Sequence, residues 1–200
     1  MVISPASTRT MNLGRFLTQA AERLGSNKAV IKGDVSLSFA GLNRRVNACC
    51  AQLAARGVGK GDRILVQSRN CFEMFETMFV AFKLGAIWVP VNFRLTEEEV
   101  AYIASHSGSK VLVFEAAFSA HKDAALAAGN IELTISIDGE AGQAAADLSW
   151  NALCEGDADF GSGLDGSLSI TNSSALQTAT FTGGRVISPS RRVDTISNNG

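Results

Sequence analysis

The chain has 200 residues, of which 46% are apolar, and its formal net charge is −1. This length suits one domain of ordinary size, alone or with a tail, and the apolar share is large enough for a buried core. The near-neutral charge argues against a nucleic-acid-binding face and against a cationic membrane-binding surface. No run of about 18 apolar residues occurs, so the sequence predicts no transmembrane segment.

The first helix is predicted after a polar start. Residues 1–10 follow no period, and we interpret them as an extension that precedes a natural start at Met11. Apolar residues then recur at helical spacing, with Asn12 as the expected N-cap and Gly25 after the last turn. These residues are Leu13, Phe16, Leu17, Ala20, Ala21 and Leu24.

A hairpin and a second helix follow. Val35, Leu37 and Phe39 alternate with serines after a Lys-Gly-Asp turn at 32–34, which predicts a β-hairpin with one solvent-facing side. The next helix is expected to end at Gly57 and to bury one apolar face. The residues of that face are Leu42, Val46, Cys49, Cys50 and Leu53.

Strands and helices alternate from residue 63 onwards. Strands are predicted near 63, 87, 111 and 132, and helices at 72–84, after Thr96, at 117–128 and at 148–153. Because these strands are apolar on both faces, they indicate a parallel sheet covered by helices. The predicted fold class is therefore α/β: a flavodoxin-like parallel sheet of at least four strands with helices on both faces, preceded by an N-terminal helix and a β-hairpin.

Cysteine and histidine positions give no metal-binding pattern. Four cysteines occur at 49, 50, 71 and 154 without a CxxC pair, and His106 and His121 stand alone. We interpret the adjacent cysteines as buried apolar residues. Without a secretory signal, free thiols predict a reducing, cytoplasmic location.

Several motifs resemble functional sites but have simpler interpretations. The glycine-rich run at 57–61 precedes a strand, whereas phosphate-binding loops follow one, so a tight turn is expected. Thr96 and Glu99 have capping-box spacing, which favours a helix start over a metal site. Ser162 lies between two glycines but lacks the spacing of a nucleophile elbow.

Two apolar features have an alternative interpretation as parts of a substrate pocket. The stripe formed by Phe72, Phe75, Phe79 and Phe82 is interpreted mainly as core packing, with the lining of a tunnel for an apolar substrate chain as the alternative. The Trp-Val-Pro run at 88–90 lies at a strand end, where ligands bind in open α/β sheets, and is a secondary candidate for pocket contact in a complete relative.

Five segments in register carry a family resemblance. They are KGDVSLSF at 32–39, AGLNRRVN at 40–47, AARGVGKGDR at 54–63, KLGA at 83–86 and VPVNFRLT at 89–96. Together they resemble the N-terminal region of the adenylate-forming (AMP-binding) acyl-CoA synthetases, also called fatty-acid–CoA ligases. The resemblance covers roughly residues 11–155 and implies an incomplete N-terminal part of the acyl-CoA synthetase fold.

The resemblance also implies chemistry and partners. A complete family member, active in processes such as fatty acid metabolism, joins a small-molecule carboxylic acid, fatty or aryl, to ATP with Mg²⁺. It then transfers the acyl group to coenzyme A. In the family this α/β unit packs against a second subdomain. The resemblance therefore predicts an exposed apolar face here and self-association through it, with no nucleic-acid partner.

The chain departs from the family at the phosphate loop. A Ser/Thr/Gly-rich run ending in Pro-Lys-Gly is expected near 165–180, but residues 167–175 read SLSITNSSA, and the TFTGG run at 180–184 continues into Arg185. We therefore predict no catalytic, cofactor-binding or metal-binding residues in this chain, no bound cofactor and no ligase activity. The predicted organisation is an extension (1–10), a partial ligase domain (11–160) and a disordered, non-homologous tail (161–200) produced by truncation or a frameshift.

Two alternatives stay open. One is a stand-alone flavodoxin-like binding or interaction module. A phosphoacceptor version is disfavoured because the strand ends offer Gln67, Ser68 and Asn92 rather than an aspartate, and the loop at 68–71 is a poor flavin loop. The other alternative is a dimerisation partner for a full-length synthetase.

Overall fold

The computed structural model describes residues 12–138, 145–156, 158 and 160, and the backbone of three strands between 168 and 187. The predicted extension at 1–10 and the start at Met11 lie outside these residues.

The chain begins with the predicted helix, hairpin and second helix. These are α1 (Gly14–Leu24), the antiparallel pair β1 (Lys28–Lys32) and β2 (Val35–Ser38), and α2 (Phe39–Ala54). Leu13 rather than Asn12 takes the N-cap position of α1, although the Asn12 Oδ1 accepts a hydrogen bond from the Gly14 N–H at 2.7 Å. All five apolar residues predicted for the inner face of α2 are buried.

A five-stranded parallel sheet forms the centre of the molecule. In chain order its elements are β3 (Arg63–Gln67), α3 (Phe72–Leu84), β4 (Ile87–Val91), α4 (Glu97–Ser107), β5 (Val111–Phe114), α5 (Ser119–Ala128), β6 (Leu133–Ser136), β7 (Leu148–Ser149) and α6 (Trp150–Leu153). The strand order is β4-β3-β5-β6-β7 and every pair is parallel. The α/β, flavodoxin-like fold with helices on both faces is confirmed.

Two hydrophobic clusters cover the two faces of the sheet. The first, here called the α3 face, joins Ile64, Val66 and Val113 to residues of α1, α2, α3 and α6. The second, the α4 face, joins Leu65, Leu112 and Phe114 to α4 and α5. Successive strand residues point to opposite faces, which is why buried strands with Val, Leu or Ile at every position fit between two helical layers.

Three short antiparallel strands follow. They are β8 (Leu168–Asn172), β9 (Gln177–Thr182) and β10 (Arg185–Ile187), in the order β10-β9-β8. They lie in the segment for which composition predicted no regular structure. Threonine-rich sequence such as 177–182 favours strands despite its low apolar content. The remainder of 161–200 lies outside the described residues.

Candidate functional site

The carboxyl edge of the sheet contains a topological switch point at β3. The connection from β3 to β4 packs α3 on one face, whereas the connection from β4 to β5 packs α4 on the other. In open α/β sheets, ligands bind outside the carboxyl ends of strands where the connections diverge in this way. The loops that border this point are 68–71 after β3 and 115–118 after β5.

Glu115 joins these two loops. Its Oε1 accepts hydrogen bonds from the Ser68 hydroxyl at 2.9 Å and from the Arg69 N–H at 2.7 Å, and its Oε2 lies 3.1 Å from the Arg69 Nε. The Arg69 guanidinium also lies 5.7 Å from the centre of the Phe118 ring. The Ser68 and Arg69 donors of the β3–α3 loop are thus already bonded to a carboxylate of the chain itself.

Cys71 lies at the same edge but is not an activated nucleophile. Its Sγ caps α3 by accepting the Met74 N–H at 3.3 Å, and it lies 3.3 Å from the Ser68 hydroxyl. Burial raises the pKa of the Cys71 thiol, although the Ser68 hydrogen bond opposes this shift. Because the thiolate is the reactive form, a raised pKa indicates a structural rather than a catalytic cysteine.

The two apolar candidates are packing elements of the α3 face. The Trp88 indole N–H donates to the Thr77 hydroxyl at 3.0 Å, and Trp88 packs against the buried cluster. The phenylalanine rings stack edge to face, with 5.2 Å between the centres of Phe75 and Phe79, but Phe75 is 38% exposed. The stripe therefore lies on the flank of α3 rather than on its buried side, so the predicted core packing is only partial.

The buried side of α3 carries charged residues that sequence reasoning missed. Glu76 is fully buried, and its carboxylate forms a bidentate ion pair with Arg45 on α2. The Trp150 indole N–H donates to Glu76 Oε2 at 2.7 Å, which attaches α6 to the same carboxylate. The ion pair raises the pKa of Arg45. Glu76 directly follows the exposed Phe75, and its sequence position gives no signal of burial.

Lys83 is the second missed residue. It is 2% exposed, and its Nζ donates to Thr18 Oγ1 at 3.0 Å, Asn43 Oδ1 at 2.7 Å and Asn47 Oδ1 at 2.5 Å. One ammonium group therefore ties α3 to α1 and α2. The arrangement is fully hydrogen-bonded, as buried charges require, and its role is structural.

The interpretations of the 57–61 run, of Thr96 with Glu99 and of the cysteines agree with the structure, whereas Ser162 lies outside the described residues. The 57–61 run forms a turn in which the Gly59 N–H bonds to Asp62 Oδ2 at 2.9 Å. Thr96 and Glu99 form a complete capping box at the start of α4. Cys49, Cys50, Cys71 and Cys154 are all free thiols.

The segment in which the family resemblance predicts a phosphate loop contains no lysine or arginine. No Lys or Arg occurs from Asp165 to Gly184, and the chain has no lysine after Lys122. Within the described ranges, no group of three or more His, Cys, Asp or Glu side chains is placed to hold a metal ion. The helices seen in those same ranges are all too short or too polar to cross a bilayer.

The fold and the switch point define a doubly wound α/β protein, and comparisons with known proteins identify its family. The model of the family described as "AMP-binding enzyme" matches residues 17–184. The chain belongs to this family. The match extends past residue 160 and covers the residues of β8 and β9.

Individual relatives are acyl-CoA ligases. The long-chain-fatty-acid–CoA ligase FadD13 of Mycobacterium tuberculosis is 38% identical over 107 residues, which are 52% of this chain and 21% of the relative. Feruloyl-CoA synthase of Amycolatopsis is 36% identical over 62% of this chain and 25% of the relative. The chain thus spans about a fifth to a quarter of these curated relatives.

Solved structures agree in fold. The N-terminal domain of FACL13 from Mycobacterium tuberculosis superposes with a TM-score of 0.68 at 30% identity, over 87% of this chain and 44% of that one. A long-chain-fatty-acid CoA ligase from Rhodopseudomonas palustris gives a TM-score of 0.71 at 20% identity, over 88% of this chain and 45% of that one. This second likeness shows the fold alone.

Proposed function

We propose that this chain supplies the first α/β layer of an acid–CoA ligase and that the 200-residue polypeptide does not itself activate acids. The family match and the likeness to the N-terminal domain of FACL13 support the first part. In the whole protein this layer would help to form a site for a fatty or aryl acid, ATP with Mg²⁺, and coenzyme A. The names of the relatives support this substrate class without fixing the acid.

The proposal of inactivity rests on one observation, the absence of a lysine or arginine at 165–184. Acid activation places developing charge on a triphosphate, and preorganised donors and cations stabilise that charge. The stretch 165–184, at the end of the family match, offers hydroxyls and two terminal glycines but no lysine or arginine. The Ser68 hydroxyl and the Arg69 N–H at the switch point already donate to Glu115, which opposes their use as phosphate donors.

ATP–pyrophosphate exchange tests this proposal. The purified 200-residue chain would be assayed with Mg²⁺, ATP and labelled pyrophosphate, with palmitic or ferulic acid, beside FadD13 as a positive control. We expect no acid-dependent exchange above the protein-free background. Reproducible exchange that requires the acid would contradict the proposed inactivity, although it would leave the ligase relationship intact.

Self-association through an apolar face is a further part of the proposal. Several large apolar side chains are exposed in the described region, among them Ile31 on the hairpin at 63%. Each buried 100 Å² of such surface would contribute roughly 2.5 kcal/mol. Sedimentation velocity should show concentration-dependent oligomers that Ile31→Asp weakens, and a strictly monomeric chain at all concentrations would refute this part.

The domain boundaries and the location stay predictions. The partition into 1–10, 11–160 and 161–200 rests on the sequence, and the family match through residue 184 favours a later end for the ligase-like part. A cytoplasmic location rests on the four free cysteines.

A further inference from the structure

A buried glutamine occupies the last position of β3 without a hydrogen-bond partner. Gln67 is 1% exposed, and neither its Oε1 nor its Nε2 has a partner among the described residues. It pairs in register with Val91 of β4 and Phe114 of β5, which both belong to the α4 face. Because paired residues of parallel strands point the same way, the Gln67 side chain also lies on the α4 face.

A histidine nitrogen on the same face is likewise unpaired. The His121 Nε2 lies 2.9 Å from the Leu95 carbonyl oxygen, whereas its Nδ1 is buried without a partner in the described part of the chain. Leu95 packs against the cluster that contains Val91 and Phe114. The neighbouring Lys122 places its Nζ 5.8 Å from the centre of the Phe114 ring. His121 and Gln67 therefore share the carboxyl end of the α4 face.

The hydrogen-bond donors and acceptors of Gln67 and His121 indicate which kind of chemical group could bind between them. A carbonyl oxygen only accepts, so the His121 Nε2 carries the proton and, in the neutral ring, Nδ1 is an acceptor. The Gln67 amide adds a second acceptor and a donor pair. Two acceptor atoms beside one amide nitrogen favour a group that both donates and accepts hydrogen bonds, and the surrounding apolar side chains of Val91 and Phe114 disfavour an isolated cation. A neutral hydroxyl, which donates and accepts, satisfies the set.

Ring contacts connect His121 to the switch point. The Phe118 ring contacts the His121 ring edge to face, with 5.4 Å between centres, and the Arg69 guanidinium lies over the same Phe118. The 115–118 loop leads into α5, which carries His121, and Glu115 joins this loop to the loop after β3.

We propose that Gln67 and His121 form a binding site for one neutral hydroxyl group, supplied by an ordered water molecule or by a small alcohol. The proposal is independent of whether the chain activates acids. Buried polar groups in proteins are nearly always hydrogen-bonded, and bridging water is a common partner where a site is polar.

High-resolution crystallography of the 200-residue chain distinguishes the two sources. Crystals would be grown without alcohols, and half of them would be transferred into ethylene glycol. Density for a single oxygen within hydrogen-bonding distance of Gln67 and His121 in both sets supports a water site. Density that extends into a glycol molecule in the second set supports an alcohol site. A dry, empty gap in both sets overturns the proposal.

A double-mutant cycle tests the same site in solution. Gln67→Leu and His121→Phe should each raise the unfolding equilibrium constant about tenfold. In the double variant the constant should rise by less than the product of the two single effects, by about fivefold or more, because either substitution alone already removes the bridging group. The matched control pairs Gln67→Leu with His106→Phe, an exposed histidine on α4, and should be additive. Additive effects in the first cycle, or a Gln67→Leu variant more stable than the parent, would overturn the proposal.

Discussion

The two faces of the parallel sheet bury polar side chains in different ways. On the α3 face, Glu76 and Lys83 are bonded to groups from α1, α2 and α6, so each charge connects elements far apart in the sequence. On the α4 face, Gln67 and His121 contribute three buried atoms without protein partners in the described region. The arrangement on the α3 face holds helices together, whereas the one on the α4 face leaves hydrogen-bonding atoms available for a small bound molecule.

The first prediction concerns the α3 face and has the largest expected effect. Glu76→Leu leaves Arg45 and the Trp150 indole without their acceptor, so it should lower the free energy of unfolding by about 3 kcal/mol or more. Urea denaturation measures this change. Glu73→Leu, in the first turn of the same helix, is the control and should cost well under about 1 kcal/mol. Equal effects of the two variants would show that the buried ion pair does not hold α2, α3 and α6 together.

Lys83→Met should have the next largest effect. The thioether cannot donate, so the buried Asn47 Oδ1 loses its ammonium donor and the free energy of unfolding should fall by about 2 kcal/mol. Lys60→Met, at an exposed turn position, provides the matched control and should be nearly neutral. If Lys83→Met were as stable as the parent, the hydrogen bonds of this lysine would contribute nothing net to the α3 face.

A third prediction concerns the stability of the α3 face at alkaline pH, where the expected effect is smaller than that of either substitution. Burial raises the pKa of Cys50 on the α3 face to about 12, with Lys83 opposing the shift. The thiol therefore stays protonated in the folded chain while it ionises in the unfolded chain above about pH 9. The contribution to stability is complete below pH 9 and is lost as the pH rises towards 12, at up to about 1.4 kcal/mol per pH unit.

The difference between the parent and Cys50→Ala isolates this titration. Unfolding measured at pH 8, 9.5 and 10.5 should show a shallower loss of stability for the alanine variant. Parallel pH profiles for the two proteins would mean that the Cys50 thiol ionises equally easily in the folded and unfolded states.

The sequence predicted most of the fold because periodicity and turn chemistry are local. The inner face of α2, the Thr96–Glu99 capping box and the apolar strands β3 to β5 each follow from residues within one element. The order of the five strands also agrees with the doubly wound pattern that such strands favour.

The buried polar residues could not be predicted, because their environment is not local in the sequence. In α3 the phenylalanine period suggested the buried side, yet Glu76 and Lys83 occupy that side because Arg45, Trp150 and Asn47 approach from elsewhere. In the sequence Gln67 is only the last residue of a predicted strand. Its lack of a hydrogen-bond partner depends on its neighbours in the sheet, Val91 and Phe114. Partners that are distant in sequence decide both outcomes, and a single sequence does not show them.

Calorimetric titration of the 200-residue chain with magnesium–ATP tests the central claim most directly. The chain has the α/β layer of an AMP-binding enzyme, but no lysine or arginine at 165–184 to hold the nucleotide's phosphates. We therefore predict no saturable binding up to about 1 mM ATP, which corresponds to less than roughly 4 kcal/mol of binding free energy. Saturable, magnesium-dependent binding in the micromolar range would contradict the account.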